Sequence, residues 1–230
     1  MIDACAGIKQ YHNVERNLFH YSNVGWHVNF SCIIFNVLII IKILQQLLTH
    51  ITAYHRLSAE AEDALQQCFT QITLNKNELL LTQGNVCRHL YFLEKGALRG
   101  FYNLDGKEIT HWFGFEKDFV TSFHSFITGL PAVENIQLLE GCTLWAIAKE
   151  TLTELFNQHH DIERLVRITY EKYYIRLEER YVNAQFKSAT ERYEELIQQS
   201  PHIIERVPLG FIASYLGISQ ETLSRIRSRF

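Results

Sequence analysis

The spacing of apolar positions changes its period along the chain. Residues 44–54 place apolar side chains at helical spacing. Ser58 then caps a short helix, AEAEDALQQCF, with acidic residues early, where the macrodipole favours them. From Gln71 the period shortens towards two. The runs ITLNKNELLLTQG and HLYFLEKGALRGFYNLDGKEITHWFGF are rich in β-branched and aromatic residues. They are punctuated at residues 75–77, Gly84, Gly96 and Asp105–Gly106. Asp-Gly between such runs predicts a hairpin, because a type I′ turn needs φ > 0 at both central residues. Further strands are expected at 119–122, 136–139 and 143–148. About eight short, evenly spaced strands predict an antiparallel jelly roll or barrel, whose interior can hold a small molecule.

After Lys149 the helical period returns. Thr151 is expected to cap LTELFNQH, and Asp161 to open a long helix, DIERLVRITYEKYYIRLEERYVNAQF. Along it Ile162, Val166, Thr169, Tyr173, Leu177 and Tyr181 recur every three or four residues and form one stripe. Such a stripe packs either on the barrel of its own chain or on a two-fold partner, and the partner is the natural candidate. SATERYEELIQQS makes another helix, stopped by Pro201. In residues 207–230, Ile212, Ala213, Leu216, Ile218, Leu223 and Ile226 share a core. Gly217 ends one helix and Ser219 caps the next, with Glu221 and Thr222 in its first turn. Helix, glycine turn, capped helix is the helix-turn-helix pattern, with a plain αα-hairpin as the alternative. Its second helix exposes Gln220, Glu221, Ser224 and Arg225, types able to bond base edges, while Arg227 and Arg229 add positive charge.

The chain of 230 residues is long enough for two domains. Its net charge of −3 shows that any affinity for nucleic acid must be local, and arginines do gather at the C-terminus. Five cysteines, at 5, 32, 68, 87 and 142, show no CxxC spacing, which suits free thiols in a reducing cytoplasm. Residues 30–41, FSCIIFNVLIII, are apolar but shorter than the roughly 20 residues of a spanning helix, and no cleavage site follows. Residues 1–43 are therefore an appendage, a weak membrane anchor or sequence upstream of the true start. The expected domains are 1–43, a roll over 44–157, a long helix over 158–186 and a DNA-binding module over 187–230.

Roll, long helix and C-terminal helix-turn-helix together resemble the cAMP-receptor/fumarate-nitrate-regulator (Crp/Fnr) family over residues 44–230. The resemblance is carried by TQG…LYFLEKGALRGFYNLDGKEI and LGISQETLSRI. It implies an α+β fold: an antiparallel jelly roll like the cyclic nucleotide-binding domain, a long dimerisation helix and a helix-turn-helix. It also implies a cytoplasmic, homodimeric transcriptional regulator rather than an enzyme, bound to double-stranded DNA, with RNA polymerase as a further partner. The family's base-reading positions fall on Gln220, Glu221 and Arg225. The whole DNA contact set is Ser219, Gln220, Glu221, Thr222, Ser224, Arg225 and Arg227. By chemistry Arg225 favours guanine, Gln220 adenine and Glu221 a cytosine amino group.

One departure bears on the ligand. The family's cAMP-binding members hold the cyclic phosphate with Gly-Glu-Leu and, about ten residues on, an Arg-Ser or Arg-Thr pair. The corresponding stretch here is DFVTSFHSFITGLPAVENIQLL, and no arginine lies between Arg99 and Arg164. A buried phosphate without a cationic partner is costly, so cAMP and cGMP are not expected in the usual way. The pocket residues Phe119, Thr121, Ser122, Phe123 and Asn135 either take another small molecule, apolar or aromatic, or are filled by the chain's own side chains. Isolated cysteines disfavour an iron–sulfur cluster. His111, His124 and Cys87 as lone ligands disfavour haem, so no cofactor is expected. The competing readings are a membrane-tethered signalling adaptor and a cupin-like metal enzyme.

Overall fold

A computed structural model describes residues 55–229; the expected appendage and the helix over 44–54 lie outside the described residues. Helix α1 (Ala59–Cys68) starts at Ser58, whose hydroxyl accepts the Ala61 N–H as expected. Eight strands follow: β1 (Thr70–Leu74), β2 (Leu79–Leu81), β3 (His89–Lys95), β4 (Leu98–Leu104), β5 (Lys107–Gly114), β6 (Phe119–Val120), β7 (Asn135–Leu138) and β8 (Cys142–Ala148). They form two four-stranded antiparallel sheets, β1-β8-β3-β6 and β2-β7-β4-β5. The chain thus has the α+β jelly-roll fold that its alternation predicts.

The β4–β5 hairpin turns where expected, with Asp105 at φ 52° and Gly106 at φ 81°. The strand expected over 119–122 stops after Val120, because Thr121 and Ser122 lead into a short helix, α2 (Phe123–Thr128), that the sequence pattern did not separate from the roll. Helix α3 (Lys149–Gln158) begins before Thr151, so Thr151 lies within its first turn and is not the cap. Helix α4 (His160–Phe186) starts one residue before Asp161. Asp161 instead accepts the Ser58 N–H and hydroxyl (2.7 and 2.8 Å), pinning the start of α4 to that of α1. Helix α5 (Ala189–Gln199) opens on a capping box of Ser188 and Glu191. A single turn, α6 (Ile203–Arg206), precedes α7 (Leu209–Leu216) and α8 (Gln220–Arg227).

Three apolar clusters result. Leu81, Leu93, Leu98, Val120, Ile136, Leu138 and Leu144 fill the space between the sheets. Leu65, Leu90, Phe119, Trp145, Ile147, Leu152, Ile162 and Leu165 join the other face of the β3/β8 sheet to α1, α3 and α4. The third cluster unites Tyr193, Leu196, Ile203, Ile212, Leu216, Leu223 and Ile226 with Ala97 and Leu139 of the roll, so the C-terminal module rests on the roll through a shared core.

Candidate nucleic-acid interface and roll interior

Local chemistry builds the C-terminal module as the sequence predicts. Gly217 sits at φ 65°, a conformation that carries no penalty without a Cβ, and the Ser219 hydroxyl accepts the Thr222 N–H at 3.2 Å. Ile212, Ala213, Leu216, Leu223 and Ile226 are buried, and Ile218 packs against them half-buried. Ser219, Gln220, Glu221, Ser224 and Arg225 stand exposed on one side of α8, with Thr222 and Arg227 half-exposed. The face is already organised. Arg225 donates to the Thr222 hydroxyl at 3.3 Å, and a bond from Ser219 holds the Glu221 carboxyl below its ordinary range. Gln220 folds back towards α7, where its amide nitrogen lies 2.5 Å from the place a Cβ on Gly210 would take. The arrangement offers an acceptor, an amide and a guanidinium within two helical turns, the groups that read base edges.

The expected pocket residues do not converge. Phe119 and Phe123 line an apolar cleft of about 30 Å³ against Thr169, Tyr170 and Tyr173 of α4, room for roughly one water. Thr121 donates to the His89 carbonyl at 3.0 Å, and the Asn135 side chain accepts the Gln83 N–H at 2.9 Å. Ser122 is buried and bonds to Glu134. The five residues separate because Thr121 and Asn135 serve the turns that leave and re-enter the sheets.

The polar centre of the roll is instead Glu134, only 7% exposed. It accepts from His111 Nε2 at 2.7 Å and from Trp112 Nε1 at 2.9 Å. Burial acts to raise its carboxyl, and the bonds from His111, Ser122 and Trp112 outweigh this and hold it below the ordinary range. The Trp112 indole lies over Gly100, where a Cβ would come within 2.0 Å of Nε1. His111 is the extra residue of a β-bulge, set between the pairs Gly100–Trp112 and Phe101–Thr110. Among the described residues, no buried side-chain nitrogen or oxygen lacks a partner.

The expected dimer stripe divides. Ile162 and Thr169 are buried, and Val166 and Tyr173 half-buried, against their own roll; the Tyr173 hydroxyl accepts the Phe119 N–H at 2.6 Å. These four belong to the chain's own core, because the roll and α3 cover that side of the helix. Leu177 and Tyr181 are 58% and 68% exposed, alongside Tyr174, Ile175, Val182 and Phe186.

Sequence reasoning missed the joint between roll and helix-turn-helix. Arg206 pairs with Glu116 (2.7 Å) and Glu140 (2.8 Å) from two roll loops. Burial acts to raise the Glu116 carboxyl, but Arg206 and the N–H groups of Glu116 and Gly96 bring it to about 2. Arg180 of α4 donates to the His111 carbonyl and lies 5.2 Å from the Tyr215 ring of α7. Arg99, 1% exposed, is stacked on Phe211 of α7. An arginine at an otherwise apolar sheet position, in LRGF, was the available signal.

Residues 71–159 match the family model of the cyclic nucleotide-binding domain. Comparison of the sequence with curated proteins returned no match. Among solved structures, FixK2 from Bradyrhizobium japonicum is 18% identical, over 70% of this chain and 83% of that one, with a TM-score of 0.60. A protein described as a transcriptional regulator of the Crp/Fnr family from Eubacterium rectale is 17% identical over 79% and 87%, with a TM-score of 0.61. The c-di-GMP-responsive global regulator CLP of Xanthomonas campestris is 17% identical over 75% and 91%, with a TM-score of 0.57. These likenesses show that the described residues share the fold of Crp/Fnr regulators.

Proposed function

We propose, from the Crp/Fnr fold that this chain carries, that it is a DNA-binding transcriptional regulator, a homodimer that reads a pseudo-palindromic site through α8. The observation that carries this reading is the exposed face of the Ser219-capped helix, where Gln220, Glu221, Ser224 and Arg225 stand together over a buried core. Ser219, Thr222 and Arg227 complete the contact set. Two such helices in a two-fold dimer would meet half-sites about 34 Å apart. The exposed apolar half of α4, with Leu177 and Tyr181, supplies the partner surface.

The roll is a sensor that does not take cAMP in the usual way, and the chain is not an enzyme. No arginine lies between Arg99 and Arg164, and this roll buries the Glu134 carboxylate, which opposes an anionic phosphate. Trp112, anchored on Glu134, occupies interior space beside Gly100. A small effector would act by a population shift, displacing these contacts and changing how α4 and the helix-turn-helix sit. RNA polymerase is a further partner on this reading, and the cytoplasm its place. No helix among the described residues is long and apolar enough to cross a membrane.

Selection of bound duplexes from a random pool, with the purified full chain at stated salt, tests the reading. The expected result is an enriched inverted repeat whose preferred bases change with Arg225→Ala. Failure to enrich any sequence, both in buffer and in cell extract, would overturn it.

A further inference from the structure

We propose that Arg99, a residue of the roll, is a positioning residue for DNA reading: it fixes the seating of α7, and so of α8. The inference rests on the reading of the chain as a dimeric DNA-binding protein, and it names what keeps the two recognition helices in register.

A guanidinium is rarely withdrawn from water unless its donors and faces are met. Those of Arg99 are. Its Nε and Nη2 donate to Gln137 Oε1 at 3.0 and 2.7 Å, and its Nη1 to Thr110 Oγ1 at 3.2 Å; Nη2 also pairs with Glu108. The flat faces are met by two rings, Phe101 at 4.1 Å and Phe211 at 3.6 Å. Four of these partners belong to the β2/β7/β4/β5 sheet, and the fifth, Phe211, belongs to α7. One cation is thus stacked between a ring of the roll and a ring of the DNA-binding module.

The neighbouring contacts share its partners. Ser214 of α7 accepts the N–H of Thr110 at 3.0 Å and donates to the carbonyl of Glu108 at 3.3 Å. Two of the three roll residues that bond Arg99, Thr110 and Glu108, therefore also bond α7. Helix α7 is in turn fixed to α8 by the Gly217 turn and by Ile212, Leu216, Leu223 and Ile226. Seating α7 on the sheet consequently sets the direction of α8. In a two-fold dimer the separation of the recognition helices sets the spacing of the half-sites, so a loose seat permits several spacings. Lysine would keep the charge but lose the planar stack and the forked donors.

The test compares the full chain with Arg99→Lys and, from the other side of the stack, Phe211→Leu. Each protein is first shown to keep the parent's circular dichroism and urea midpoint within error or to shift it by a measured amount. Each is then offered inverted repeats in which only the spacer varies, together with a random pool. The parent is expected to prefer one spacing sharply. Both variants are expected to select the same half-site bases, while their preference for that spacing over its neighbours falls several-fold. A uniform loss of affinity with the spacing preference intact would show a merely structural role and overturn the proposal, as would no change. If the parent itself enriches no sequence, the DNA reading fails first, and the role of Arg99 in it falls too.

Discussion

The two halves of α4 carry the same apolar spacing and meet opposite surroundings. From Ile162 to Tyr173 the stripe is covered by the roll, α1 and α3, and Ile162 and Leu165 are 0% and 1% exposed. From Tyr174 onward the apolar residues face outward, up to Phe186 at 83% exposed. Helical periodicity records that a face must be covered, and it says nothing of what covers it. The first half answers to the chain's own core; on the reading above, the second half answers to another copy.

The comparison is broken most strongly in the first half. Leu165→Ala leaves a cavity in a closed core and is expected to lower stability by about 2–5 kcal/mol, read from urea unfolding. A loss no larger than that of Leu177→Ala, expected within about 0.5 kcal/mol for an exposed site in the monomer, would show that the halves do not differ as described. The double variant Leu177→Glu, Tyr181→Glu sharpens the second half. It is expected to keep the parent's circular dichroism and to sediment as a monomer at concentrations where the proposed dimer of the parent is expected. An unchanged sedimenting mass would remove this surface from the dimer interface.

The smallest effect concerns pH at the start of α4. Burial acts to raise the Asp161 carboxyl, but the Ser58 N–H and hydroxyl hold it below its ordinary 3.8. The contact therefore stabilises the fold fully above pH 3.8 and is lost as pH falls below that value. Because Asp161 is largely solvated, the contribution is small. Asp161→Asn is expected to flatten slightly the acid limb of stability measured between about pH 5 and pH 3. A limb identical to the parent's would show that the pin contributes nothing.

The features legible in the sequence are those set by neighbours in the chain. Asp105–Gly106, Gly217 and the Ser58 and Ser219 caps hold where expected, because a positive φ or an exposed N–H is a local demand with few residue types able to meet it. The Thr151 cap did not hold, since packing of Leu152 and Leu155 against the roll lets α3 begin earlier on Ala148 without a side-chain cap. Helix α2 was hidden because its few residues sit between strands and its apolar positions fit either period. The face of α8 was legible since a capped helix with a buried seam leaves its remaining positions outward.

By itself, then, the sequence determined the order of the strands and of the longer helices, the Asp105–Gly106 and Gly217 turns, the Ser58 and Ser219 caps, and the polar face of α8, because each depends on residues a few positions apart. The tertiary structure alone decided the rest. It brought Glu134 to His111 and Trp112, Arg206 to Glu116 and Glu140, and Phe211 to Arg99, and it divided α4 between an inner and an outer stripe. A buried charge is tolerated only where distant strands deliver its partners, and no local spacing records which strands those are.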